Sequence, residues 1–197
     1  LEHFAFEKIY ANPVRWRLDM FQWLLADHKH TIKSLEFGSL SSEYTPINLL
    51  DFSNLETLNL SHWGYKETPE VAAATILAPR LHTFIWDFNT FDQDGASWSD
   101  FGKEQKEWLL KFAELAAEKK SALRRIQIVF CPVEYEGPQT REEIATCVSP
   151  WDLMNEVRDK IRPLGIELEY GVSWTREGGL QRNERDETFH MSGDEEI

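Results

Sequence analysis

The aspartates of Asp92-Gln93-Asp94-Gly95 have the spacing of the middle of a calcium loop, where side-chain oxygens ring a hard cation. Thr90 stands where the first carboxylate belongs, and Phe101 where the closing bidentate glutamate should be. Both departures remove ligand oxygens, so an Asp-rich turn ahead of a helix accounts for the residues better. Asp27, His28 and His30 are metal-ligating types, but no second cluster adds ligands at the usual spacing. They read as the polar close of a helix. Cys131 lacks a His and Asp pattern for nucleophilic work and is expected to be a small buried hydrophobe. Glu134 with Glu136, or Glu142 with Glu143, could serve as the carboxylate pair of a glycosidase. With 34 Asp and Glu in the chain, such pairs arise by chance. No G-x-S-x-G, Walker-type loop, G-x-G-x-x-G or H-E-x-x-H occurs. The expectation is a protein that is not an enzyme, with no catalytic residue, cofactor or metal.

Residues suited to binding are more plentiful. Trp63, Tyr65, Phe88, Phe91, Trp98, Tyr135 and Trp174 each follow an alternating apolar run or lie in the loop after it. If those runs are parallel strands, their ends line one rim, and aromatic anchors there form a binding surface. The plainer alternative is that they fold back and cap the ends of the core. A second surface is the outward face of the same strands: Thr57, Asn59, Ser61, Ile85, Asp87, Arg125, Gln127, Val129, Glu167 and Glu169. Mixed polar residues on a parallel sheet can read a partner, or can simply be solvated.

The elements that must position these residues follow from periodicity. Leu55, Leu58 and Leu60 stand in an L-x-x-L-x-L spacing. Leu58 and Leu60 share one face of a strand because side chains alternate, while Leu55 enters from the preceding turn. The spacing repeats at Ile32, Leu35, Phe37, at Leu81, Phe84, Trp86 and at Leu123, Ile126, Ile128, extended by Phe130. A fifth strand holds Ile166, Leu168 and Tyr170, with its leading apolar residue displaced. Residues 1–11 offer a short strand or the remnant of an earlier repeat. Between the strands, Asn12-Pro13 opens a helix over 13–28 with Val14, Leu18, Phe21 and Leu25 at helical spacing. Thr68-Pro69 opens a short one over 69–77. Lys103–Lys120 forms the longest, with Trp108, Phe112 and Leu115 on one stripe. Ser149-Pro150-Trp151-Asp152 is a capping box for a helix stopped by Pro163 and Gly165. With Leu35, Leu58, Phe84, Ile126 and Ile166 taken as equivalent, the steps are 23, 26, 42 and 40 residues.

Strand and helix in regular alternation demand a parallel sheet. Polar Thr57, Asn59, Ser61, Glu167 and Glu169 between the apolar positions leave one side open to water, which disfavours helices on both faces. The expected fold is therefore α/β: a short irregular leucine-rich-repeat-like solenoid, its parallel sheet covered by helices on one convex side. Residues 1–174 would form one such domain and 175–197, rich in charge and glycine, a disordered acidic tail.

A formal charge of −13 argues against a nucleic-acid surface and an anionic membrane, and no apolar run approaches the roughly 20 residues of a membrane span. Cys131 and Cys147 alone make no disulfide framework, which points to an intracellular home, cytoplasmic or nuclear. The sequon Asn59-Leu60-Ser61 lies inside an expected strand, where glycosylation is disfavoured. The chain opens at Leu1 without Met or a signal pattern, and reads as a fragment of a longer protein.

Asn54-Leu55-Glu56-Thr57-Leu58-Asn59-Leu60 and Ala78-Pro79-Arg80-Leu81-His82-Thr83-Phe84-Ile85-Trp86-Asp87 resemble irregular leucine-rich repeats. The segments 86–96 and 108–130 resemble the C-terminal repeat regions of fungal F-box-like proteins. Together the resemblance covers roughly residues 30–172. It implies a protein-binding scaffold, the substrate-recognition repeats of an F-box-type ubiquitin ligase adaptor, that holds a protein substrate while a preceding F-box docks to the ligase. No Leu-Pro-led F-box helix bundle is present in the sequence. A ligand-sensing repeat domain of another multidomain protein, such as an immune-type receptor, would share these features. A small α/β hydrolase-like enzyme would need a closed pocket with Cys131 or carboxylates facing it.

Overall fold

Five short runs of alternating apolar residues have one way to bury their apolar face together, which is to lie side by side beneath a shared layer of helices. The computed structural model describes residues 1–6, 18–38, 47–89, 96–132 and 148–171, and it has this arrangement with one strand more. The strands are β1 (His3–Phe6), β2 (Ser34–Phe37), β3 (Thr57–Ser61), β4 (Thr83–Asp87), β5 (Arg125–Val129) and β6 (Glu167–Tyr170). They form a single sheet in the order β1-β2-β3-β4-β5-β6, every neighbouring pair parallel. Each strand therefore pairs only with its neighbours in sequence, and the sheet is not closed.

The register runs in columns. Phe4, Leu35, Leu58, Phe84, Ile126 and Leu168 face one another across the sheet, and Phe6, Phe37, Leu60, Trp86, Ile128 and Tyr170 make the next column but one. β1 is the strand left undecided between residues 1 and 11. It brings the full spacing Leu1, Phe4, Phe6 into line with its neighbours. At the other end Leu168, not Ile166, is the equivalent of Ile126. Gly165, at φ +78°, turns the chain one residue early, so Ile166 takes the leading position two places ahead of Leu168 instead of three.

Backbone hydrogen bonds just ahead of the strands repeat with the same regularity. The carbonyl of Glu2 accepts from the N–H groups of Lys33 and Ser34, that of Lys33 from Glu56 and Thr57, and that of Glu56 from His82 and Thr83. The His82 carbonyl accepts from Arg124 and Arg125, and the Arg124 carbonyl from Glu167. Ile32, Leu55, Leu81 and Leu123 are buried beside this series, so the leading leucine of each unit anchors the turn that feeds its strand.

The helices α1 (Leu18–Leu24), α2 (Pro69–Thr75), α3 (Lys103–Glu118) and α4 (Pro150–Ile161) cover the apolar face. Phe21 of α1 meets the rings of Phe4, Phe6 and Phe37 at 4.7–5.8 Å. Trp108 and Phe112 of α3 meet Phe84 and Trp86 at 4.6–6.3 Å. α2 packs on α3, and α3 on α4, in one layer. The part of the first expected helix before Leu18 lies outside the described residues; beyond Leu24 the chain passes into a 3-10 turn over Ala26–His28. Thr68 caps α2 through its Oγ1, which accepts from the Val71 N–H at 3.4 Å.

The capping box expected at Ser149 is absent: its side chain makes no cap bond, and it is itself buried under the start of α4. Burial removes the hydroxyl from the position where it could reach an exposed amide. A side-chain cap forms instead at Ser97, whose N–H donates to Asp100 Oδ2 at 2.6 Å.

Candidate functional site

The face of the sheet away from the helices carries three rows of side chains set by the same register. His3, Ser34, Thr57, Thr83, Arg125 and Glu167 make the first, and Ala5, Glu36, Asn59, Ile85, Gln127 and Glu169 the second. Ser61, Asp87 and Val129 begin a third toward the strand ends, where Ser61, expected to face water, is buried, its Oγ accepting from the Trp63 N–H at 3.3 Å. Of the outward residues singled out from the sequence, Asn59, Asp87, Arg125, Gln127, Glu167 and Glu169 are all brought onto this face. Each strand contributes by the parity of its apolar partners, so the surface is a direct product of the buried columns.

Electrostatics divide the face. At the β5–β6 end Arg125 Nε bonds Glu169 Oε1 at 3.0 Å, an ion pair open to water on both sides. Such a pair fixes geometry more than it adds stability. Near the middle, burial holds the Asp87 carboxyl above the usual carboxylate range, and the Asn89 N–H, donating at 2.8 Å, partly opposes the shift. Asn59 Oδ1 is shielded from water and has no hydrogen-bond partner among the described residues.

The strand-end aromatics lie elsewhere. Phe88 is fully buried and Tyr65 is 3% exposed, so neither can anchor a partner on a rim. Both belong to the core, as folded-back aromatics that close its end. The cause is parity: Phe88 continues the inward series Phe84, Trp86, and packs on Phe101 and Phe130. Burial pushes the Tyr65 phenol above its ordinary range. Trp98 packs against the core and meets Trp151 edge-on at 5.3 Å. Trp63 is half-buried, its Nε1 donating to the Phe88 carbonyl at 3.2 Å. Phe91, Tyr135 and Trp174 lie outside the described residues.

His62 was not singled out in the sequence, yet it sits at the junction of these rings. It stacks on Phe88 at 4.4 Å and meets Trp63 and Trp86 edge-on at 5.1 and 5.3 Å. Burial brings its pKa down to about 4, with the Lys66 charge adding to the effect. The signal was available, since His62 continues the inward series Leu58, Leu60.

The residues with other chemistry are also placed. Cys131 is exposed instead of buried, because Phe130 turns into the core against Trp151 and the next side chain must point out. His30 Nδ1 lies 3.1 Å from Ser53 Oγ, which joins the first two turns of the sheet. Among the described residues no three His, Cys, Asp or Glu converge as a metal site. The Asp92–Gly95 turn, the pairs Glu134/Glu136 and Glu142/Glu143, Cys147 and the tail 175–197 lie outside the described residues. No helix of the described residues is long and apolar enough to cross a membrane.

No protein-family model, curated protein or solved structure matches the chain.

Proposed function

We propose that the chain is a protein-binding repeat domain that reads a partner on the uncovered face of its sheet. The observation that carries this reading is the pair of unbroken rows across all six strands, polar or charged at most positions, with no described helix over them. Side chains held by parallel strands are fixed to within the rigidity of the sheet, which is what a preorganised recognition surface requires. Asn59, Asp87 and Gln127 supply donors and acceptors at its centre, and Arg125, Glu167 and Glu169 set its charge.

The finer reading is that this is the substrate-holding part of an F-box-type ubiquitin ligase adaptor, with the sheet as the inner surface of a short leucine-rich-repeat-like solenoid. Its support is the likeness of residues 54–60 and 78–87 to irregular leucine-rich repeats. The domain would do no chemistry itself. The test has two stages. The full-length protein is used to recover bound chains from extract of its native cell, and ligase adaptor subunits among them support the finer reading. Their consistent absence rejects it. The recovered substrate is then titrated against Arg125→Glu and Glu167→Lys variants. Weaker capture at unchanged melting temperature supports the sheet as the reading surface. Unchanged capture, or loss of capture in step with loss of stability, refutes it.

A further inference from the structure

On the side of the sheet where the strands begin, the cations of the first turns are matched. Lys33 Nζ meets Glu2 at 3.0 Å, Lys29 Nζ meets Asp51 at 3.7 Å, and Arg80 and His82 flank Glu56 at 3.5 and 3.8 Å. The turns ahead of β5 and β6 break this pattern. Residues 118–124 and 162–165 hold Lys119, Lys120, Arg124 and Arg162, all exposed, against the single carboxylate of Glu118. Arg124 turns its guanidinium to the carbonyls of Ser121 and Leu123 at 3.1 and 2.6 Å and keeps its charge. Lys119, Lys120 and Arg162 form no ion pair among the described residues.

These two turns meet at one corner. α3 touches the Arg162–Leu164 turn as well as α4. The Arg124 carbonyl accepts from the Glu167 N–H at 2.8 Å, which draws the starts of β5 and β6 together. The same corner carries Leu164, an exposed apolar side chain beside the exposed Pro163. A lone exposed leucine means little by itself. Set among four cations, it gives the corner an apolar point of contact.

Lys120 is a second sign. α3 ends with the Ser121 N–H donating to the Ala116 carbonyl at 3.0 Å and the Lys120 N–H to the Ala117 carbonyl at 2.9 Å. In this closure the residue past the cap takes left-handed backbone, where glycine is preferred. Gly165 fills that role after α4, at φ +78°, but here it falls to Lys120, at φ +52°. Among the described residues no other side chain is carried at positive φ. Such a side chain is strained relative to glycine, and strain of this kind collects at functional positions. The negative ends of α3 and α4 attract cations, but that pull fades within a turn and asks for no side chain at a left-handed position. α4 already holds Arg158 and Lys160 in its last turn.

We propose that this corner docks an acidic peptide segment of a partner protein, with carboxylates meeting Lys119, Lys120 and Arg162 and an apolar residue among them resting on Leu164. The corner is a few side chains across, on a chain of formal charge −13. A nucleic-acid duplex or an anionic bilayer presents its charge over a far wider front and would meet the acidic remainder as well. At physiological salt the Debye length is about 8 Å, so a short peptide at the corner feels mainly the cations beside it. The uncovered face of the sheet plays no part in this contact, and the two surfaces stand or fall separately.

The probe is a fluorescein-labelled peptide with a central leucine and three glutamates on either side, titrated by anisotropy against the whole chain in about 0.15 M sodium chloride. A Kd below about 1 mM is expected. Lys120→Gly should raise it about two- to fivefold, the range of one exposed ion pair, while Tm holds or rises as the left-handed position receives glycine. Lys111→Ala removes the same charge from an exposed position within α3, where Lys111 pairs with Glu114, and should leave the Kd unchanged. Lys119→Ser, Lys120→Gly and Arg162→Ser combined should raise it at least about tenfold. Serine in place of the peptide's leucine should weaken binding about threefold, the worth of roughly one buried methylene. In the unmodified chain, amide shifts on adding peptide should centre on residues 118–124 and 162–167. A Kd above about 1 mM overturns the proposal, as does a Kd indifferent to Lys120→Gly or raised equally by Lys111→Ala. So do equal binding of the leucine and serine peptides, amide shifts centred elsewhere, and tighter binding to a DNA duplex or to phosphatidylserine vesicles than to the peptide.

Discussion

Alanine at Leu55, Leu81 or Leu123 should destabilise the chain severely and alike, while alanine at Leu1 should cost little. Each of the first three sits at 0–1% exposure beside the carbonyl series that sets strand register. Removing three carbons from such a site forfeits about 2 kcal/mol of transfer free energy, at roughly 0.8 kcal/mol per methylene. A cavity walled by β-sheet backbone relaxes poorly and adds about 1–2 kcal/mol more. The expected loss is about 3–4 kcal/mol per substitution, which in a chain of this size lowers Tm by about 7–14 °C. Leu1, half exposed, should lose under about 1 kcal/mol. Urea unfolding followed by tryptophan fluorescence, at low micromolar protein, measures all four on one scale. The reasoning fails if any of the three interior variants costs under about 1 kcal/mol, or if Leu1→Ala costs as much as they do.

His62 supplies a pH dependence whose sign is fixed by its burial. Its folded pKa, about 4, lies below the ordinary 6.5, so the unfolded chain binds the extra proton first. Stability from this group is complete above pH 6.5 and drains as pH falls toward 4, by up to about 3 kcal/mol. The imidazole resonances should show no titration between pH 7 and 5; a midpoint near 6.5 would contradict the burial. Gly165→Ala should cost about 1 kcal/mol in urea unfolding, because φ +78° strains any side chain although open space surrounds the position. Gly165→Asn should cost less, and equal losses would mean that the turn relaxes.

The parallel sheet was legible because four runs share one spacing and the polar residues between them hold one parity. Ser97 and Ser149 show where local chemistry stops being a guide: both precede a helical turn, and only the half-buried Ser97, not the fully buried Ser149, is bonded as a cap. Leu1-x-x-Phe4-x-Phe6 carries the complete spacing too, but its third apolar position abuts residues with no clear period. Only pairing with β2 fixes its role. Ile166 misled because apolar alternation allows Ile166 or Leu168 to lead, and backbone handedness at Gly165 decides between them. The outward rows were readable for the same reason as the inward ones. The aromatic rim was not, since Phe88 and His62 follow the last residues of clear alternation although each continues an inward series by one more step. Parity persists past the last ladder bond, and large rings follow it into the core.

Six strands that pair only with their sequence neighbours leave the chain divisible. A cut in the connection between β3 and β4 would yield two pieces, each with three adjacent strands and its own share of the helix layer. No strand of either piece would be interleaved with the other. Such halves should reassociate along one new seam, so the domain lends itself to splitting into a reporter that regains its form only when both pieces are brought together.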